Sequence, residues 1–271
     1  MFRSITSSSS RIARLAAAAA FVFATVGSIG PAAAGDASTA VRLFGTAERA
    51  NSDISAFPKW TAVLARYEQE RALENRPCAG ANCALQHWAQ FVAGLKGQNR
   101  LRQLEVVNEY VNRTPFQPDS SRYGMADYWA TPREFFGRGG DREDYAFAKY
   151  LSLRKLGWSA DELRIAVVMH HQRREIHAVL VAYHNGTAYV LDNLLGRVAD
   201  HGALSHYQPF YSINEHGWHH HTGYSPGARV AAARSNPSGT GNVLTSRRTM
   251  SPAARSYAGN PDESTASLFT R

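Results

Sequence analysis

The chain has 271 residues, with 30 basic and 22 acidic side chains and a formal charge of +8, a length that suits one folded domain with extensions. Most of the excess positive charge lies near the two ends, because residues 35–224 hold 21 basic and 20 acidic side chains. A nucleic-acid-binding domain needs a basic face on its folded part. This balance therefore argues against nucleic acid as a partner.

The first 34 residues have the pattern of an export signal. Three arginines are followed by an apolar run over 15–26, then by Pro31 and the alanines at 32–34. This order is typical of a secretory signal peptide, with cleavage expected after Ala34. The run is shorter than the roughly 20 apolar residues that a membrane-spanning helix needs. We therefore expect a periplasmic or secreted protein, with a retained membrane anchor as the alternative.

Only two cysteines occur, both in the segment RPCAGANC. Cys78 and Cys83 are separated by a short flexible loop, and in an oxidising compartment such a pair is expected to form a local disulfide. The spacing does not match a CxxC redox motif, and a zinc site would need a second pair of ligands. The sequence therefore offers no obvious free thiol.

The first half of the folded part has helical periodicity. Three segments place apolar residues three or four positions apart, which predicts three amphipathic helices. Their apolar positions are Trp60, Val63, Leu64 and Tyr67; Leu85, Trp88, Phe91, Val92 and Leu95; and Leu104, Val107 and Val111. The third helix is expected to end before Pro115, because proline cannot continue a helix.

Two further helices are predicted from their N-terminal signals. In TPREFF, Thr131 can cap the helix, proline takes the first helical position and Glu134 completes a capping box. Asp141 is the natural N-cap of the next helix, which should run to Gly157. Arg142 would then lie in the first turn, where the helix dipole disfavours a cation. A broken local preference of this kind is typical of a functional site.

The second half changes to the two-residue period of β-strands. The segments LRIAVVM (163–169), IHAVLVAYH (176–184) and TAYVLDNL (187–194) are rich in β-branched and aromatic residues. Asn185-Gly186, between the last two, predicts a two-residue type I′ hairpin. In that register residue 184 faces 187 and residue 182 faces 189. His177 and Asp192 then become diagonal neighbours across the two strands.

A histidine oriented by an aspartate is the base-and-orienter half of a nucleophilic triad. His177 taken alone would more often be a structural histidine. The second half of the pattern is a helix N-terminus after a glycine-rich turn, where a cysteine nucleophile is best placed because the dipole stabilises the thiolate. In this chain that position is residue 142.

Several motifs in chain order carry a resemblance to a known family. They are FPKW (57–60), DYWATPREFFGRGGDREDYAFAKYLSLRKLG (127–157), IHAVLVAY, YVLDNL and YSINEHGW. Over residues 41–221 the chain resembles the bacterial transglutaminase-like cysteine proteinases, the LapG-type periplasmic calcium-dependent proteases that cut the N-terminal region of large surface adhesins. The resemblance implies an α+β, papain-like or transglutaminase-like fold, with a helical N-terminal half packed on an antiparallel sheet.

The family's Gly-Gly-Asp-Cys-Glu-Asp motif falls on residues 139–144, and the resemblance implies catalytic roles. Arg142 stands at the position of the nucleophilic cysteine, His177 at that of the general base and Asp192 at that of the orienting acid. Arginine cannot serve as the nucleophile, because a guanidinium group stays protonated in proteins. The chain is therefore predicted not to cleave peptides by the family mechanism.

Calcium is the cofactor that the resemblance implies. Its ligands would be Asp141 and Glu143, with Asp144 as a further candidate, and oxygen ligands suit a hard cation. Helix capping and dipole complementation are the alternative role of these acids. Arg142 could pair with Asp141, Glu143, Asp144 or Asp192, and so replace calcium by charge.

Two explanations of Arg142 remain open. The chain could be a natural pseudoprotease that binds a large surface adhesin, or the inner-membrane receptor that normally holds the protease. A one-nucleotide change from TGC to CGC could also have produced the arginine, as a recent mutation or as a sequencing error, and the otherwise intact site motif favours this second explanation. The implied partners are therefore a periplasmic protein substrate and a membrane receptor.

The predicted organisation has three parts: a signal peptide over 1–34, a transglutaminase-like domain over 35–224 and a basic tail over 225–271. The tail has six arginines and two acids without apolar periodicity, which predicts disorder. The segment HGWHHH (216–221) raises the question of a metal site, but neighbouring histidines on a strand point in different directions. A polar end of the domain explains it better.

Overall fold

The structure is a computed structural model that describes residues 41–79 and 83–225. The chain divides into two units, Met1–Thr39 and Ala40–Arg271, and every described residue belongs to the second. The predicted signal peptide lies outside the described residues, and so does the predicted tail apart from Ser225. No helix within the described ranges is long and apolar enough to cross a membrane.

The described residues form six α-helices, all before the main body of the sheet. They are α1 (Pro58–Glu70), α2 (Ala84–Ala93), α3 (Arg100–Val111), α4 (Asp119–Tyr123), α5 (Pro132–Arg138) and α6 (Arg142–Lys155). The three periodic segments correspond to α1, α2 and α3, and α3 ends before Pro115 as predicted. The capping box of α5, with Thr131 and Glu134, is confirmed. Cys78 and Cys83 form a disulfide just before α2.

Seven strands in the described residues form one antiparallel sheet with the order β1-β7-β6-β2-β3-β4-β5. They are β1 (Ala47–Asn51), β2 (Leu163–His170), β3 (Glu175–His184), β4 (Thr187–Leu191), β5 (Ala199–Asp200), β6 (Tyr207–Asn214) and β7 (Gly217–Thr222). The predicted strand over 187–194 ends at Leu191, and β1 and β5 had no strand signal. The fold class is α+β, as predicted.

The hairpin between β3 and β4 has the predicted register. His184 pairs with Thr187 and Ala182 with Tyr189. Asn185 and Gly186 both have positive φ, 50° and 75°, which is the conformation that a type I′ turn requires. The turn therefore determines which residues of the two strands face one another, including those beyond the hydrogen-bonded ladder.

The long helix α6 lies at the centre of the molecule. Eleven of its fourteen residues are buried, from Glu143 to Leu153, and it packs against β3 and β2. One core cluster joins α6 to α1, α2 and the helical side of the sheet. A second cluster covers the opposite face of β2, β3 and β4, so these central strands are buried on both sides. The N-terminus of α6 is thus held in a rigid, water-excluding setting.

Candidate active site

The glycine-rich turn before α6 brings backbone and acid side chains into close contact. Gly140 accepts a hydrogen bond from the Gln117 amide at 2.9 Å. A Cβ atom at Gly140 would lie 2.8 Å from both the Cβ of Asp144 and a ring carbon of Phe135, which is too close for any larger residue. Gly139 has a φ of 87°, a conformation that favours glycine. Both glycines are therefore required by the turn.

Asp144 fixes this turn from inside the first turn of α6. Its Oδ1 accepts from the Ala130 amide at 2.6 Å, and its Oδ2 accepts from the Asp141 amide at 3.0 Å. The side chain is fully buried. One carboxylate thus joins the segment before α5 to the N-terminus of α6.

Three buried carboxylates converge beside this turn. One oxygen each of Asp119, Asp141 and Asp144 lies within 4.8 Å of the others. Asp119 Oδ2 accepts from the Tyr128 amide, whereas Oδ1 of Asp119 and Oδ1 of Asp141 have no hydrogen-bond partner among the described residues. Burial raises the pKa of Asp119 to about 6, and it raises those of Asp141 and Asp144 well above their usual range. Burial and mutual repulsion thus disfavour the charged form of these acids unless a cation lies nearby.

The three carboxylates, named here the acid trio, differ from the predicted set of metal ligands. Asp141 and Asp144 belong to the trio, but Glu143 does not. Asp119, at the first residue of α4, was not predicted. Nothing in its local sequence distinguishes Asp119 from an ordinary residue of a helical first turn, because only the packing of α4 brings it to the site.

Arg142 is the first residue of α6 and is mostly buried, with 16% of its side chain exposed. Its Nη2 lies 3.0 Å from Glu143 Oε1, and its Nη1 lies 3.7 Å from Asp141 Oδ2. Two of the four acids suggested as partners thus pair with it. These charges offset the unfavourable position of a cation at a helix N-terminus.

His177 and Asp192 form the predicted pair. The distance from His177 Nε2 to Asp192 Oδ1 is 2.7 Å, and both side chains are buried. Burial alone would raise the pKa of Asp192, but His177, the Leu194 amide and the Tyr207 hydroxyl together hold it well below its usual range. Because Nε2 binds the carboxylate, Nδ1 is the ring nitrogen available for proton transfer.

Three residues around Asp192 were missed in the sequence. The buried hydroxyl of Tyr207, on β6, donates to Asp192 Oδ2, and Asn112 donates to the Asp192 carbonyl at 2.8 Å. Lys149, on α6, is fully buried, and burial lowers its pKa to about 7 while the charge of Asp192 opposes the shift. No motif or turn in the sequence links them to Asp192.

Within the described residues, no group of three or more potential metal ligands includes a histidine of the segment 216–221. The acid trio is the only group of three or more potential metal ligands found within residues 41–79 and 83–225. His221 lies inside the sheet and hydrogen-bonds to Thr46 at 3.0 Å and to Ser212 at 2.9 Å. It therefore has a structural role.

The structure thus contains a buried His–Asp pair on a sheet and, on a central helix that packs against that sheet, an N-terminus after a glycine-rich turn. These are the two parts of a cysteine peptidase site. Residues 78–210 match the family model of the bacterial transglutaminase-like cysteine proteinases (BTLCP). Residues 78–210 therefore form a domain of this family.

Solved structures with a similar fold come from Legionella pneumophila. LapG (EGTA-treated) is 28% identical, with a TM-score of 0.51 over 59% of this chain and 87% of that chain. LapG (calcium-bound) is 29% identical, with a TM-score of 0.49 over 56% of this chain and 86% of that chain. Among curated proteins, none matches the sequence significantly.

Proposed function

We propose that this chain is a periplasmic peptidase scaffold of the adhesin-processing type in which residue 142 has removed catalysis. One observation carries the proposal: the His177–Asp192 pair is complete, while the first residue of α6 is an arginine. A guanidinium has no lone pair to attack a carbonyl at any physiological pH. The only two cysteines of the chain are joined in the disulfide.

A cysteine at position 142 would complete a triad with the existing groups. The helix dipole and a protonated His177 would stabilise its thiolate. His177 would take the thiol proton and later donate it to the leaving amine, while Asp192 orients the ring. The buried Tyr207 hydroxyl would keep Asp192 ionised and fixed. The rest of the site is therefore compatible with peptide hydrolysis.

Calcium fits the acid trio. Two carboxylate oxygens without hydrogen-bond partners among the described residues, on Asp119 and Asp141, lie beside Asp144 in a buried setting. A hard cation with oxygen ligands suits such a group. When bound, the ion would neutralise the trio and hold α4 to the N-terminus of α6. The side chains of Asp119, Asp141 and Asp144 would supply ligands.

The substrate class follows from the resemblance to adhesin-processing proteases, and a large surface adhesin is the proposed partner. A second candidate function is binding without cleavage, to an adhesin or to an inner-membrane receptor. The ion pairs of Arg142 favour binding without cleavage, because the guanidinium is paired with two acids in the buried site. The scaffold can therefore remain folded and able to bind.

Cleavage of a cognate adhesin fragment by Arg142→Cys tests the proposal. The variant is expected to cut the fragment in calcium and to lose activity in EGTA, whereas the unaltered chain and Arg142→Ala stay inactive. Arg142→Cys combined with His177→Ala is the matched control and should also be inactive. No cleavage by a folded Arg142→Cys variant that binds the fragment would count against the peptidase scaffold. Failure of the unaltered chain to bind either adhesin or receptor would remove the second candidate.

Sequencing of codon 142 in the source genome separates the two origins of the arginine. A cysteine codon would make the protein an ordinary peptidase of its family. An arginine codon would leave binding as the natural role.

A further inference from the structure

We infer that Arg142 acts as a built-in counter-charge to the acid trio, so that arginine at this position weakens calcium binding and reduces the dependence of the fold on the ion. The inference rests on the calcium site proposed above. It concerns a residue that a catalytic family member would not carry, and it gives the arginine a physical consequence beyond the loss of a nucleophile.

The charge balance around the N-terminus of α6 motivates the inference. Asp119, Asp141, Glu143 and Asp144 are all buried carboxyl groups within one small region. Buried like charges repel strongly, so such acids either take up protons or need a cation nearby. The only cation with ion pairs to this group among the described residues is Arg142, through Glu143 and Asp141. It therefore supplies part of the positive charge that a calcium ion would supply.

The geometry allows Arg142 to oppose calcium binding through its positive charge, without occupying the position of the ion. Asp141 belongs to the acid trio and is also the more distant ion-pair partner of Arg142, at 3.7 Å through Oδ2. Its Oδ1 has no partner among the described residues and stays available to a metal. The shorter contact of the guanidinium, 3.0 Å, is with Glu143, which lies outside the trio. Calcium can therefore still bind, but beside a fixed positive charge.

The expected size of the effect follows from Coulomb's law. A guanidinium beside Asp141 would lie roughly 6 Å from a divalent ion held by the same carboxylate. At effective dielectric constants between about 20 and the bulk-water value of about 80, the repulsion weakens binding by at least about tenfold. The same repulsion disappears when the side chain is neutral. In the absence of calcium, however, a neutral side chain leaves the acids uncompensated, so the fold becomes more dependent on the ion.

The test compares calcium binding by the full chain and three variants. Arg142→Met removes the charge and keeps a long apolar side chain, Arg142→Gln removes it and keeps a hydrogen-bond donor, and Arg142→Lys keeps it. Calorimetric titration with calcium chloride should give at least about tenfold tighter binding for the Met and Gln variants. The Lys variant should stay within about threefold of the unaltered chain. Two neutral variants are used so that a folding defect caused by one substituted side chain is not mistaken for an effect of the lost charge.

Thermal unfolding provides an independent readout. In EGTA, Arg142→Met and Arg142→Gln should unfold at a lower temperature than the unaltered chain, and calcium should raise their midpoints by a larger amount. Adding Asp119→Asn to either neutral variant should abolish the gain in calcium affinity. This result would show that the tighter binding occurs at the acid trio.

The possible outcomes distinguish the counter-charge role of Arg142 from the proposed calcium site. Calcium binding of equal affinity in the unaltered chain and both neutral variants would overturn the counter-charge role and leave the calcium site standing. No calcium binding by any folded variant would overturn the proposed calcium site itself.

Discussion

Replacement of Tyr207 by phenylalanine tests the polar network that holds the His177–Asp192 pair. The Tyr207 hydroxyl donates to Asp192 Oδ2 in the interior, while the ring packs edge-on against Phe44. Phenylalanine preserves that packing and removes only the hydroxyl. A hydrogen bond to a charged acceptor contributes about 1.5–3 kcal/mol, so Tyr207→Phe should lower the free energy of unfolding by about 2 kcal/mol.

Tyr183→Phe is the matched control. The Tyr183 hydroxyl is also buried, but it has no hydrogen-bond partner among the described residues. Loss of an unpartnered buried hydroxyl costs little, so the control should change stability by less than about 0.5 kcal/mol or increase it. Urea unfolding followed by circular dichroism at pH 7 measures both variants, provided that their m-values agree.

The pH dependence of the same pair strengthens the test. The pKa of Asp192 lies well below its usual range, so its stabilising contribution is present above the unfolded carboxyl pKa of about 4 and is lost only as the pH falls further. The deficit of Tyr207→Phe should therefore be the same at pH 7 and pH 5. Equal losses for Tyr207→Phe and Tyr183→Phe would refute the proposed network.

The remaining predictions concern the turns and the acid trio. Gly140→Ala should lower the free energy of unfolding by about 2–4 kcal/mol, since its Cβ would contact Asp144 and Phe135 at 2.8 Å; a loss below about 1 kcal/mol in urea unfolding would contradict this. Asn185→Ala should cost about 1 kcal/mol in the same assay, because residue 185 has a φ of 50°, and an unchanged midpoint would show that the turn tolerates alanine. Calcium binding requires ionised carboxylates, and the pKa of Asp119 is raised to about 6. The affinity should therefore be at least about tenfold weaker at pH 5 than at pH 7.5 by calorimetry; a flat profile would exclude Asp119 as a ligand.

The features predicted correctly depend on local signals. Asn185-Gly186 determined a turn type, and the turn type determined the register that joins His177 to Asp192 over 15 residues. The start of α6 followed in the same way from Asp141 and the glycines before it. Each of these inferences needed only a short segment and a known backbone geometry.

The features missed depend on packing between distant segments. The edge strand β1 has mostly exposed side chains and little apolar pattern, and it is a strand because β7 pairs with it. Asp119 joins the trio only when α4 packs near α6, and Tyr207 reaches Asp192 from another strand. Neither residue lies within a recognisable motif, so a single sequence gives no signal for them.

We propose that residue 142 occupies the position of the nucleophile served by the His177–Asp192 pair. The most direct measurement is the pH dependence of iodoacetamide alkylation in Arg142→Cys, with the unaltered chain as a blank because its two cysteines form a disulfide. We predict a thiol pKa at least one unit below the usual value of about 8.5, and a return toward that value when His177 is also replaced by alanine. An ordinary thiol pKa that does not respond to His177→Ala would contradict the claim.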